Sequence, residues 1–280
     1  MSSPREVEEK KFRIGCSGWS YEDWVGPFYP RGSKPRDFLK NYSSVFNAVE
    51  IDSSFYRIPN QFMISQWKKS TSDDFLFSPK FPKKITHELK LQNASDTLSY
   101  FSKTLAGLGA KLGPMVVQLP PSFKYDSGVK DLESFVGELK TGFRYAMEFR
   151  HKSWFRPETY ELLRSNNIAM CWSINQYVNS PIELTSNFIY NRMVGEDRAI
   201  TNFGETQRDT SKEMKQMSDA IKSSIGSVDD AFVFFNNHFA GFGPESVNEF
   251  RRLLGLMEMD FGKMTLASGQ PRQKSLADFG

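Results

Sequence analysis

Cysteine is scarce in this chain: Cys16 and Cys171 are the only two among 280 residues. Both lie in apolar runs and neither has metal-ligand spacing, so the expectation is two reduced, buried thiols, as in a cytoplasmic protein. Histidine is nearly as rare, with His87, His151 and His238. Three are too few for a histidine-rich tri-zinc cluster. No apolar run reaches the roughly 18 residues that a membrane span needs. Residues 1–11 are polar and charged, unlike a signal peptide. Neither a phosphate-loop nor a dinucleotide fingerprint is present, and no Gly-x-Ser-x-Gly elbow occurs. The formal net charge of +3 permits an anionic partner without requiring one.

Phenylalanine is abundant, with 25 copies, so aromatic packing is expected to dominate the core. Eight short apolar runs read as strands: 12–17, 47–52, 75–80, 115–119, 145–149, 168–173, 188–194 and 231–236. Most are nearly continuously apolar, as expected for parallel strands covered on both faces. Helical patterns separate them at 37–46, 62–70, 95–108, 132–139, 157–164, 211–225 and 247–257. Only the connection from the sixth to the seventh strand lacks one. Eight alternations predict a single-domain (β/α)8 TIM barrel over residues 12–267. Residues 1–11 would be a polar extension and 268–280 a flexible tail. A doubly wound sheet is the alternative.

Several runs end in polar clusters: Glu50-Ile51-Asp52, Gln118-Leu119-Pro120-Pro121, Glu148-Phe149-Arg150-His151 and Asn236-Asn237-His238. Burying charge costs several kcal/mol unless it is paired or used, so one shared polar site at the strand ends is expected. Glu50 and Asp52 are two apart and share a strand face, as do Glu148 and Arg150. Glu50, Asp52 and Glu148 could hold Mg²⁺ or Mn²⁺, with Glu50, Asp52, Glu148, His151 and His238 as catalytic groups. The competing reading is an internal salt-bridge layer. Lys80, Arg150 and Arg192 would grip phosphates with His87, Asn236 and Asn237, while Trp19, Tyr21, Tyr56 and Trp154 would stack bases. Pro120-Pro121 predicts a rigid or cis turn.

These segments resemble a known set. Gly15-Cys16-Ser17-Gly18-Trp19-Ser20-Tyr21, Val49-Glu50-Ile51-Asp52-Ser53-Ser54-Phe55-Tyr56, Phe77-Ser78-Pro79-Lys80, Glu148-Phe149-Arg150-His151-Lys152-Ser153-Trp154 and Phe235-Asn236-Asn237-His238 are similar to motifs of the YecE-like family (domain of unknown function 72). The resemblance implies a TIM barrel. It also marks two departures: the family usually has Asn at the position of Asp52, and Arg-x-His-Gly where this chain has Arg192-Met193-Val194-Gly195.

The C-terminus reads Gln273-Lys274-Ser275-Leu276-Ala277-Asp278-Phe279-Gly280. It resembles the peptide that docks on PCNA-type sliding clamps, with Leu276 and Phe279 as apolar plugs and Gln273 as a hydrogen-bonding group. The resulting expectation is a DNA-processing enzyme, a divalent-metal-dependent nuclease or phosphodiesterase recruited by a sliding clamp. The alternatives are a small-molecule enzyme acting on a phosphorylated or sugar-like substrate, and a non-catalytic clamp accessory.

Overall fold

The computed structural model describes Glu9, residues 11–196 and residues 200–264. The strands are β1 (Phe12–Cys16), β2 (Ala48–Ile51), β3 (Leu76–Pro79), β4 (Met115–Gln118), β5 (Tyr145–Glu148), β6 (Ala169–Met170), β7 (Trp172–Asn175), β8 (Phe188–Gly195) and β9 (Asp230–Phe235). All pairings are parallel, and β9 returns to pair with β1. β6 and β7 together form the sixth stave. Cys171 between them still donates its N–H to the Met147 carbonyl at 2.9 Å. Below that point the stave pairs with β5, and above it with β8. The ring is a closed (β/α)8 TIM barrel.

The β1–β2 seam is closed largely by side chains. The Tyr42 hydroxyl accepts from the Cys16 N–H at 2.6 Å and donates to the Ala48 carbonyl at 3.0 Å. The Asn47 amide bridges the Phe12 carbonyl and the Ile14 N–H. Gly15 is required there, because a Cβ would sit 2.0 Å from the Ala48 carbonyl oxygen. Backbone pairing resumes at the top, where the Gly18 N–H donates to the Glu50 carbonyl at 2.8 Å.

The outer helices are α1 (Pro35–Ser43), α2 (Gln61–Lys69), α3 (Ser95–Leu105), α4 (Tyr125–Glu138), α5 (Pro157–Ser165), α6 (Ser211–Ser224) and α7 (Gly243–Leu253). Each buries a stripe against the barrel wall, such as Leu98, Phe101 and Leu105 on α3. Asn60 caps α2 through its side chain, and Pro157 opens α5 where its missing N–H costs nothing. α4 begins seven residues before the apolar pattern at 132–139. Gly128 lies in this polar first half because a Cβ would meet the Phe123 ring at 2.6 Å. All described peptide bonds are trans, so the Pro120-Pro121 turn takes the trans form. No described helix is long and apolar enough to cross a membrane. The expected clamp peptide, Gln273, Leu276 and Phe279, lies outside the described residues.

Candidate active site

The barrel interior follows strand parity. Ala48, Leu76, Val116, Ala146, Phe188, Tyr190, Phe232 and Phe234 point inward and pack with Ala169 and Cys171. Alanines on one side make room for aromatics on the other. One step higher on the same faces come Glu50, Ser78, Gln118, Glu148 and Arg192, all buried. Two residues higher again, Asp52, Lys80, Arg150, Val194 and Asn236 line the mouth.

Arg192 organises the middle layer. Its Nε and Nη2 bond Glu50 Oε2 at 2.8 Å and Oε1 at 2.7 Å. Its Nη1 bonds the Glu148 carboxylate and, at 3.3 Å, Gln118 Oε1. Glu50 also accepts from the Ser17 and Tyr190 hydroxyls, each at 2.8 Å. Glu148 accepts from Arg150 Nε at 2.8 Å. Burial pushes the Glu148 pKa up, but Arg192 and then Arg150 more than reverse this and hold it at about 2. Burial opposes the Arg192 charge, but Glu50 and Glu148 outweigh it and raise the pKa.

Above this layer lies a pocket of about 550 Å³. Arg192 reaches it from below; Lys80, Lys83, Arg150, Asp52, His87 and His238 line its sides. Asp52 Oδ1 lies 3.7 Å from Lys80 Nζ and 3.5 Å from Arg192 Nη2, yet accepts no hydrogen bond from a described residue. His238 Nδ1 and Asn237 Nδ2 are likewise buried without partners among the described residues. Gly195, at φ 75°, lets the His238 turn approach the lip; a Cβ there would lie 2.4 Å from the His238 carbonyl oxygen. Lys80 Nζ sits 4.3 Å from the Phe55 ring centroid. Burial lowers the Lys80 pKa; Asp52 opposes the shift, and Arg192 adds to it. Burial, then Lys80, Arg150 and Lys83, lower that of His87 to about 4. His87 is therefore neutral at pH 7, a hydrogen-bonding group and not a cationic phosphate clamp.

A family model described as "Protein of unknown function DUF72" matches residues 13–274. The chain belongs to the DUF72 family. It is 30% identical to the UPF0759 protein YecE of Escherichia coli (strain K12) over 145 residues, covering 51% of this chain and 49% of that protein. That match thus spans about half the relative's length. The UPF0759 protein YunF of Bacillus subtilis (strain 168) is 24% identical over 94% of this chain and 99% of its own. A crystal structure of a DUF72 family protein from Thermotoga maritima superposes with a TM-score of 0.75 at 28% identity, covering 87% of this chain and 99% of that one.

In this DUF72 barrel the expected metal trio is not arranged as a metal site. Arg192 occupies both Glu50 oxygens and one Glu148 oxygen, and Arg150 takes the other. Among the described residues no group of three His, Cys, Asp or Glu side chains is placed to hold an ion. Glu50 and Glu148 thus form the salt-bridge layer, while Asp52 faces the pocket. His151 is also placed differently from the expectation: its Nδ1 accepts from the Ser153 N–H at 3.2 Å, capping the turn Lys152–Trp154 outside the pocket. Trp154 is buried between Phe123 and Phe149, its indole N–H bonded to the Phe123 carbonyl at 2.7 Å, and is unavailable to a base. Trp19 packs edge-on against Trp67 and lines a smaller adjoining hollow. Tyr21, Tyr56, Lys80, His87, Arg150, Arg192, Asn236, Asn237 and His238 do reach the main pocket as expected. Tyr177 and Phe203, which line it too, were not expected. Tyr177 follows the polar strand ending Asn175-Gln176, a signal of the same kind as the other clusters; Phe203 lies in a loop with no such mark.

Proposed function

We propose that this DUF72 barrel is an enzyme that binds a phosphate ester in its mouth and acts on it by acid–base chemistry. The observation that carries the reading is a charge imbalance. Lys80, Lys83, Arg150 and Arg192 line one pocket with a single carboxylate, Asp52; Glu50 and Glu148 one layer below offset Arg192 and Arg150, so Lys80 and Lys83 leave one cation in excess over Asp52. The pocket volume falls within the range of small-molecule sites, about 300–1,000 Å³. Phe55 and Tyr177 provide flat apolar walls, and the Arg150 guanidinium lies 5.1 Å from the Tyr177 ring centroid. Lys83 and Arg150 are the phosphate contacts. Asp52 and His238 are the proton carriers, since each has a polar atom turned to no described partner.

The test is calorimetric titration with inorganic phosphate, a nucleoside 5′-monophosphate and the parent nucleoside. One charge-assisted contact predicts about tenfold tighter binding of the phosphorylated form. Arg150→Met should remove that preference. Equal affinity for nucleoside and nucleotide would sink the proposal.

A second reading, with the phosphate carried at the end of a DNA strand, is favoured by Tyr56. It stands at the rim of the pocket with 83% of its surface exposed, as a stacking platform would. A clamp-docking tail at Gln273, Leu276 and Phe279 would recruit the barrel to such ends. Comparing a 5′-phosphorylated single strand with its unphosphorylated twin discriminates this reading from one confined to small molecules.

A further inference from the structure

Two largely shielded lysines of the barrel differ in how their amines are held. Lys111 Nζ donates to the Lys68 carbonyl at 2.8 Å, the Thr71 carbonyl at 2.8 Å and Thr71 Oγ1 at 3.2 Å. That is a structural lysine with each N–H satisfied. Lys80 is almost as deeply placed, its side chain only 11% exposed, yet its Nζ hydrogen-bonds to no described residue. It has only the Asp52 ion pair at 3.7 Å and the Phe55 ring face. Its backbone, by contrast, is fixed. The Lys80 N–H donates to the Ile51 carbonyl at 3.2 Å, and the Ser54 hydroxyl donates to the Lys80 carbonyl at 2.7 Å. A pinned main chain with a desolvated, unbonded amine lining a pocket is the arrangement a nucleophilic lysine needs.

We propose that Lys80 is a catalytic nucleophile that forms an imine with the aldehyde or ketone carbon of a phosphorylated carbonyl compound. The proposal rests on the phosphate reading of the mouth and adds the class of substrate. The surroundings fit the step. Burial, then Arg192 and Arg150, favour the free amine against the opposing Asp52 and Glu148, while Asp52 and Phe55 hold it in place. The Nζ lone pair attacks the carbonyl carbon, a C–N bond forms, and the C=O π pair moves to oxygen. Asp52 takes one proton from nitrogen and passes it to that oxygen, giving the carbinolamine. Asp52 then takes the second proton from nitrogen and passes it to the hydroxyl, which leaves as water as the nitrogen lone pair forms C=N. One water is released per imine and nothing is oxidised or reduced. Lys83 and Arg150 sit in the same pocket to take the phosphate.

The experiment treats the full chain with glyceraldehyde 3-phosphate or with glyceraldehyde, reduces with sodium cyanoborohydride, and maps adducts by peptide mass spectrometry. The expected result is labelling at Lys80 at least tenfold above Lys83, with inorganic phosphate protecting Lys80 from the phosphorylated reagent. Equal labelling of Lys80 by both reagents, with no protection, would support the nucleophile while removing the phosphate reading. Labelling spread over surface lysines without enrichment at Lys80 would overturn the proposal, even if phosphate binds calorimetrically. Lys80→Arg should abolish the site-specific adduct while retaining phosphate binding; an undiminished adduct would also overturn it. The wild-type map decides alone if that variant does not fold.

Discussion

The guanidinium of Arg192 meets the carboxylate of Glu50 side-on, with contacts of 2.8 and 2.7 Å. Both side chains are almost completely shielded from solvent. Paired, they leave little charge uncompensated; separated, each becomes a liability. Arg192→Met leaves Glu50 and Glu148 buried without their shared cation and should cost about 3–5 kcal/mol in urea unfolding. Arg192→Lys should recover little, since an ammonium cannot make the forked contact. A loss below about 1 kcal/mol would show that the layer is not held by this pair.

Acid should weaken the fold through Glu148. Its folded pKa is about 2, below the ordinary value of 4.5. A depressed carboxylate contributes stability that is present above the unfolded value and lost as pH falls through the folded one. Stability should therefore decline between about pH 4.5 and 2, and Glu148→Gln should flatten that limb. Unfolding curves at successive pH values measure both slopes.

His87 should behave in the same sense in a higher window. Its folded pKa of about 4 lies below the ordinary 6.5, so between them the unfolded chain binds more protons. The contribution is complete above 6.5 and lost on acidification towards 4. In an NMR titration the His87 ring should stay neutral through pH 6. A midpoint near 6.5 would contradict the placement of Lys80, Arg150 and Lys83 around it.

Tyr42→Phe should open the β1–β2 seam. The Cys16 N–H and the Ala48 carbonyl both lose their hydroxyl partner in a buried setting. Each unsatisfied group costs about 1–3 kcal/mol, so the loss should exceed that of an ordinary buried hydroxyl deletion. Hydrogen exchange at Cys16 should accelerate more than at Ile14, whose N–H is held by Asn47.

Truncation of residues 273–280 should abolish binding to a PCNA-type clamp while leaving the barrel's unfolding transition unchanged. Surface plasmon resonance with the immobilised clamp measures this; undiminished binding would refute a docking role for Gln273, Leu276 and Phe279.

The barrel was legible because its strands are covered on both faces. Runs such as 231–236 read as apolar stretches that stop at a polar cluster, and strand ends fall within a residue or two of those limits. Parity also placed Glu50 with Asp52 and Glu148 with Arg150 on inward faces. It could not reveal that Arg192, 142 residues from Glu50 in sequence, would insert beneath the mouth and consume both glutamates. Depth within the barrel separates Glu50 from Asp52, and no periodicity encodes depth. His151 and Trp154 were misleading for a related reason: they follow a strand end but turn outward, one capping a helical turn and the other filling the outer core.

The mouth and its supporting layer are carried two residues apart on the same strands: 50 and 52 on one, 148 and 150 on another. One substitution at position 80 or 236 can therefore change what the pocket recognises without touching the salt bridges below, whereas Arg150 also holds Glu148 and Asp52 lies 3.5 Å from Arg192. Such a barrel is built for divergence. Specificity can drift at positions 80 and 236 while the foundation one pleat lower stays the same.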